Sequence, residues 1–174
     1  MTNYLLDRGH KKIGFVGTRL MTPSIDDRFF GYLKALMERG IKYRADWIID
    51  DRDNIYGKMN YDRQFILPKE VPTAFFCNCD KAASLIIRKL EEAGYSVPGD
   101  VSVVGFDNFE YDQEADIGIT TYEINIGEMA KRAVHIMLHK MQNALYSAGV
   151  FSIQGKIIER ESVKKIGKSV PYAK

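Results

Sequence analysis

The sequence predicts an α/β fold: an open, mostly parallel sheet with helices on both faces. Apolar runs and amphipathic stretches alternate in the order strand, helix, strand, helix, strand, helix, strand, the pattern of parallel strands joined by helical crossovers. The run "SVVGF", with Val103, Val104 and Phe106, reads as a strand built for burial on both faces. Glycines stand where the amphipathic stretches end, at Gly9, Gly40 and Gly94.

The elements follow in order. "MTNYLLDRGH" opens with a helical apolar group, Tyr4, Leu5 and Leu6, terminated by Gly9. "KIGFVG" is the first strand, carrying Ile13, Phe15 and Val16. The polar loop "TRLMTPSIDD" leads into a helix beginning near Ser24 to Asp27. Phe29, Phe30, Leu33, Leu36 and Met37 form its apolar stripe at three- and four-residue spacing. "DWIID", Asp46 to Asp50, is the second strand, and "DRDNIYG" then opens a helix expected to reach about Leu67, before Pro68. The third strand, "PTAFFCNCD", starts after Pro72. "DKAASLIIRKLEEAG" reads as a helix with Asp80 as its N-cap, and "SVVGFDN" is the fourth strand. "GITTYE" makes a short extended piece, "GEMAKRAVHIMLHKMQNAL" a long amphipathic helix and "GKIIERESV" a final strand, leaving a loose tail from about Ile166.

A chain of 174 residues, 45% apolar, suits one domain or one large lobe of a two-lobed protein. A formal charge of +2 is close to neutral, and the short pairs Lys11-Lys12 and Lys164-Lys165 read as solvated surface, so no nucleic-acid footprint stands out. Cys77 and Cys79 are two apart on one strand, where a mutual disulfide would be badly strained, and they read as reduced intracellular thiols. His135 and His139 lie one helical turn apart without the Glu of a zinc-protease motif, and no metal or cofactor is expected. No signal peptide opens the chain and no apolar segment is long enough for a bilayer, which leads to the expectation of a soluble, cytoplasmic protein without membrane association.

Open parallel sheets bind ligands outside the carboxyl ends of their strands. That rule selects Thr18 to Arg28, Asp50 to Asn54, Asn78 to Asp80, and Asp107 with Asn108. Arg28 stands in the first turn of a helix, where a cation is mildly unfavourable, which points to a purposeful partner or to a salt bridge with a neighbour such as Asp27. Asp80 reads as a helix cap or a ligand contact, and Asp107 as a turn cap or a ligand acceptor. Dinucleotide, P-loop and nucleophile-elbow motifs are absent. A rim of hydrogen-bonding groups without nucleophile or metal favours binding over catalysis, and no enzyme activity is expected.

Six stretches occur in an order that resembles the effector-binding half of LacI/GalR-family transcription regulators, whose sensor is similar to periplasmic sugar-binding proteins. They are "YLLDRGHKKIGFVG", "DDRFFGYLKAL", "VPTAFFCNCDKAA", "EEAGYSVPGDVSVVGFDN", "ITTYEINIGEMAKRAV" and "IIERESV". The resemblance implies that Arg28 binds the effector and that Asp107 accepts hydrogen bonds from it. It places Ser24 where some relatives use a hydroxyl. The family's Asn-Asp pair becomes Cys79-Asp80, which replaces a sugar-binding amide with a thiol, a weak hydrogen-bond partner. Asp53 falls about where relatives often stack an aromatic on the effector.

The resemblance further implies that residues 1–165 are an effector-binding C-terminal lobe, with 121–147 crossing to a second lobe and 166–174 a tail. The implied partners are a small effector (a sugar or a nucleobase), a second copy in a homodimer, and operator DNA only through an N-terminal domain outside this sequence. A helix crossing to an absent lobe would expose Met129, Ala133, Ile136, Met137 and Met141. It is expected to fold back on the lobe or, preferably, to pair with another copy. A transport sugar-binding protein and a dimerisation lobe without ligand are the alternatives.

Overall fold

Strands that are apolar along their whole length need cover on both sides, and the chain provides it. A computed structural model describes residues 1–53, 55–109 and 116–167. Asn54 of the second rim loop, Glu110, and residues 168–174 of the expected tail lie outside the described residues.

In chain order the elements are α1 (Thr2–Asp7), β1 (Ile13–Val16), α2 (Pro23–Glu38), β2 (Ile48–Ile49), α3 (Tyr61–Gln64), β3 (Ala74–Cys77), α4 (Asp80–Glu92), β4 (Ser102–Val104), β5 (Thr121–Glu123), α5 (Ile126–Gln142) and β6 (Lys156–Ile158). The parallel sheet runs β2-β1-β3-β4, so the chain reverses its direction of winding beside β1. β5 pairs antiparallel with β6, and bridges from Val104 to Thr120 and from Asp107 to Glu123 lay that segment parallel beside the end of β4.

Alternate residues of each strand enter different cores. Ile13, Phe15, Phe76 and Val104 pack with α1 and α2, whereas Val16, Phe75, Cys77 and Val103 pack with α4. Phe15 is a hub of the first core, its ring centroid 5.4 Å from those of both Phe29 and Phe76. Close packing of the second depends on Gly14: a Cβ there would stand 2.6 Å from the Phe75 ring and 2.8 Å from the Trp47 carbonyl oxygen.

The glycines expected to end helices do so by one mechanism. Gly9, Gly40 and Gly94 have φ of +92°, +64° and +85°. In each case the next residue's N–H returns to the last turn: His10 to the Leu5 carbonyl, Ile41 to Leu36 and Tyr95 to Leu90. At its other end α2 has Thr22 as N-cap, accepting from the Ile25 N–H, with Pro23 at the first helical position.

Two expectations are corrected. The helix after the second strand is only the single turn α3. Upstream, the Asp53 carboxylate accepts the N–H groups of Ile55, Tyr56 and Lys58 and closes a turn instead of a helix. Downstream, Phe65 leaves helical geometry to bury its ring completely. The second correction concerns Asp80. The N-cap of α4 is Cys79, without a side-chain capping bond, and Asp80 is the first helical residue.

α5 is amphipathic as expected, yet none of its residues is buried. Met129, Met137 and Met141 are exposed, and the helix does not fold back on the sheet. Among the described residues, no helix is long and apolar enough to cross a membrane.

Candidate functional site

The carboxyl ends of β1, β2, β3 and β4 bring Thr18, Asp51, Asn78 and Asp107 to one rim. Its lower layer is a buried polar network centred on Asp51, which is fully inaccessible. Asp51 Oδ1 accepts the Thr18 N–H at 2.9 Å, Oδ2 accepts Asn78 Nδ2 at 2.8 Å, and the Arg52 guanidinium closes an ion pair at 2.6 Å. Thr18 Oγ1 in turn accepts the N–H groups of Asp51 and Arg52. Burial works to raise the Asp51 carboxyl, but hydrogen bonds from Arg52, Asn78 and Thr18 outweigh it and hold the group below the usual carboxylate range. These residues tie the ends of the first three strands together.

Asn78 connects this network to the layer above. Its backbone carbonyl accepts Arg28 Nη1 at 2.7 Å, while Arg28 Nη2 donates to Asp107 Oδ1 at 2.9 Å. The Arg28 guanidinium also lies over the Phe106 ring, 4.1 Å from its centroid. The arginine reaches from α2 across to the ends of β3 and β4; because α2 already begins at Pro23, Arg28 is its sixth residue and not in the first turn as expected. Burial pushes the Asp107 carboxyl up, and Arg28 opposes the rise without cancelling it. The Asp107 side chain stays 26% exposed, so the paired carboxylate still reaches solvent.

The backbone that carries this carboxylate is unusual. Asp107 has φ +99° and Asn108 φ +53°, two successive non-glycine residues in the left-handed region. The Asn108 side chain is held at both ends: Nδ2 donates to Glu123 Oε1 on β5, and Oδ1 accepts Arg160 Nη2 from beyond β6. The turn that presents Asp107 is therefore linked to β5 and to the segment that follows β6.

The other sequence-derived candidates occupy different places. Ser24 is exposed at the start of α2, its Oγ 3.0 Å from Thr22 Oγ1. It shares with Asp27, Arg28, Phe76 and Phe106 the lining of a cleft of about 470 Å³. Asp107 and Asn108 open instead on a more polar cleft of about 660 Å³ with Glu123, Asn125 and Lys156. The Arg28–Asp107 pair stands between the two. Cys79 is buried beside Arg52, and burial pushes its thiol up. Asp80 is also buried, and its Oδ2 accepts the Phe109 N–H at 2.9 Å. Asp53 spends its carboxylate on the turn described above. No group of three or more His, Cys, Asp or Glu among the described residues could hold a metal ion.

Asp51, Arg52 and Asn78 fell within the rim that the sequence selects but were given no individual role, although they hold the site together. The only signal was position, since all lie at strand ends in the expected rim. Nothing in "IIDDRD" distinguishes the buried carboxylate of Asp51 from its neighbours.

The family of periplasmic binding protein-like domains matches residues 2–163. The HTH-type transcriptional repressor PurR of Photobacterium profundum is 31% identical over 165 residues, 95% of this chain and 49% of the repressor. The NTD biosynthesis operon regulator NtdR of Bacillus subtilis is 33% identical over 160 residues, 91% of this chain and 49% of the regulator. The chain thus spans about half the length of the curated relatives it matches. A solved LacI-type transcription regulator from Bifidobacterium animalis subsp. lactis superimposes with a TM-score of 0.76 at 26% identity, covering 94% of this chain and 62% of that one. The transcriptional regulator CelR in complex with cellobiose gives 0.78 at 21% identity over 92% of this chain and 49% of that one, a likeness of fold. The parallel sheet, its carboxyl rim and these matches together make the chain a member of the periplasmic binding protein-like domain family, of the kind that forms the effector-binding domain of LacI/GalR regulators.

Proposed function

We propose that the chain is the ligand-sensing lobe of a transcription regulator. It binds a small effector, a sugar or a nucleobase, against the carboxyl rim of the sheet, and the binding alters how the whole protein grips operator DNA. The observation that carries this reading is the Arg28–Asp107 pair, aligned by the Asn78 carbonyl, with a partly exposed carboxylate that lines a polar cleft. A guanidinium beside an acceptor suits sugar hydroxyls or a base edge, both rich in donors and acceptors. Ser24 borders the same rim. Cys79 and Asp80 support the site from below, and Asp53 shapes the neighbouring loop. The effector bridges this lobe and a second one outside these residues, favouring one relative orientation of the two. Segment 121–147 contributes α5 to contacts beyond this lobe, including those of a homodimer.

A thermal-shift panel of monosaccharides, cellobiose, guanine and hypoxanthine on the full chain tests the reading, followed by calorimetry with any compound that shifts the melt. The expected result is a rise of several degrees with one compound, and at least tenfold weaker binding in both Arg28→Ala and Asp107→Ala. Equal affinity in wild type and both variants removes this site from effector binding.

A further inference from the structure

Asp107 and Asn108 adopt a backbone conformation that non-glycine residues seldom hold, and neither is fully buried. A conformation of this kind persists only where the surroundings over-determine it. Both flanks of the turn converge on one residue. The Asp80 N–H donates to the Phe106 carbonyl at 3.0 Å, on the near side of the left-handed pair. The Asp80 carboxylate accepts the Phe109 N–H at 2.9 Å, on the far side. The second oxygen, Oδ1, fills space that Gly105 leaves: a Cβ at Gly105 would collide with it and stand 3.1 Å from Cγ.

We infer that Asp80 is the positioning residue of the effector site, bracketing the turn from Phe106 to Phe109 and so fixing where the Asp107 carboxylate stands. The inference rests on the function proposed above. Asp80 acts through Asp107 rather than by touching the effector: it is 8% exposed, and its Oδ2 is already committed to a backbone donor. The glycine in "VGFDN" has a matching purpose, since it admits the carboxylate beneath the strand end. A site that must place one carboxylate within a fraction of an ångström gains from support of this kind, because an acceptor already in position needs no ordering when the ligand arrives.

The rival explanation is that Asp80 is only a favourable negative charge at the start of α4. Asp80→Asn separates the two, because it removes the charge and keeps an acceptor oxygen. The test is NMR on the full chain. In the wild type, a scalar coupling across the hydrogen bond is expected between the Phe109 amide nitrogen and the Asp80 side-chain carboxyl carbon. In Asp80→Ala, Phe109 amide exchange should accelerate at least tenfold while amides in the middle of α4 stay within threefold. The Asp107 carboxyl titration should move away from its wild-type midpoint. Asp80→Asn should retain slow exchange at Phe109, and Gly105→Ala, which displaces the carboxylate and crowds the Asp80 Cα at 3.2 Å, should behave like Asp80→Ala at Phe109.

Absence of the coupling in the wild type overturns the bracket, as does an Asp80→Ala protein with unchanged Phe109 exchange and Asp107 titration. Loss of protection in Asp80→Asn equal to that in Asp80→Ala assigns the role to charge and also overturns it. If Asp80→Ala does not fold, the wild-type coupling and Gly105→Ala decide the matter. None of these readouts needs an effector. Unaltered ligand affinity in Arg28→Ala and Asp107→Ala would therefore defeat the effector reading while leaving the bracket intact, and a missing coupling would do the reverse.

Discussion

Arg28 and Asp107 lie 79 residues apart in sequence and meet at 2.9 Å, with the arginine's second nitrogen on the Asn78 carbonyl. The contact joins α2 to the ends of β3 and β4, and it makes the electrostatic state of one rim group depend on another. Burial raises the Asp107 carboxyl and Arg28 lowers it. Removing the guanidinium should therefore raise the carboxyl further. The folded-state value of Asp107 lies above its unfolded one, so its contribution to stability is complete below the unfolded value and is lost as pH rises through the folded value. Arg28→Ala widens that window. Carboxyl-carbon NMR titration should show a higher Asp107 midpoint in the variant, and urea melts should show a greater loss of stability at pH 7 than at pH 3. An unchanged midpoint would mean that the pair is not formed in solution.

Asp51 obeys the opposite sign. Its hydrogen bonds hold the carboxyl below the usual range, so the stabilisation is present above the unfolded value and is lost as pH falls through the folded one. Asp51→Ala strands the Asn78 amide, the Thr18 N–H and the Arg52 charge, and breaking a buried pair in this way costs about 3–5 kcal/mol. Urea melts at neutral pH measure that loss. Asp51→Asn should flatten the acid limb of the stability profile, and a wild-type slope in that variant would locate the acid sensitivity elsewhere.

Asn108 combines a left-handed backbone with two side-chain links. In Asn108→Gly the backbone keeps its conformation and only the links to Glu123 and Arg160 are lost. In Asn108→Ala the left-handed strain, about 1–2 kcal/mol, is added to that loss. Denaturation should therefore rank wild type above Gly and Gly above Ala. The reverse order for the two variants would show that the turn relaxes once its links are gone.

Gly14 is expected to tolerate no side chain. Alanine there drives a methyl group into the Phe75 ring and the Trp47 carbonyl, and overpacking of this kind costs about 1–3 kcal/mol. A second change, Phe75→Leu, should recover part of the loss in the Gly14→Ala background, as read from urea midpoints. Full additivity of the two substitutions would exclude the collision as the cause.

The exposed stripe of α5 is expected to mediate self-association. Sedimentation of the full chain should show a dimer, and the double change Met137→Lys and Met141→Lys should shift it toward monomer. A dimer that survives both charges must use another face.

Much of the fold was legible because it depends on local pattern. The apolar runs became the parallel strands, and Gly9, Gly40 and Gly94 ended their helices because a left-handed terminus is a local demand that glycine meets. The helix expected to reach Leu67 failed for a reason outside that pattern: the core beside α4 takes the Phe65 ring, and Asp53 closes a turn whose donors are backbone groups of no particular residue type. At the rim, strand ends and family resemblance were enough to single out Arg28 and Asp107. The burial of Asp51 was not visible, because it depends on Thr18 and Asn78 arriving from two other loops.

By itself, then, the sequence determined the order of the elements, the double-sided burial of the sheet and the rim on which polar groups would gather. These follow from side-chain period, backbone freedom and the direction of parallel strands. Only the tertiary structure decided what each acid does. Asp80, first a cap or a contact, became the support of a turn, because Gly105 leaves it room and Phe109 gives it a donor. Asp107 became the partly buried partner of Arg28, because the arginine reaches it from α2 and a left-handed turn carries it to the lining of a cleft. Such roles depend on distances between residues far apart in the chain, and those distances are fixed only when the sheet has formed.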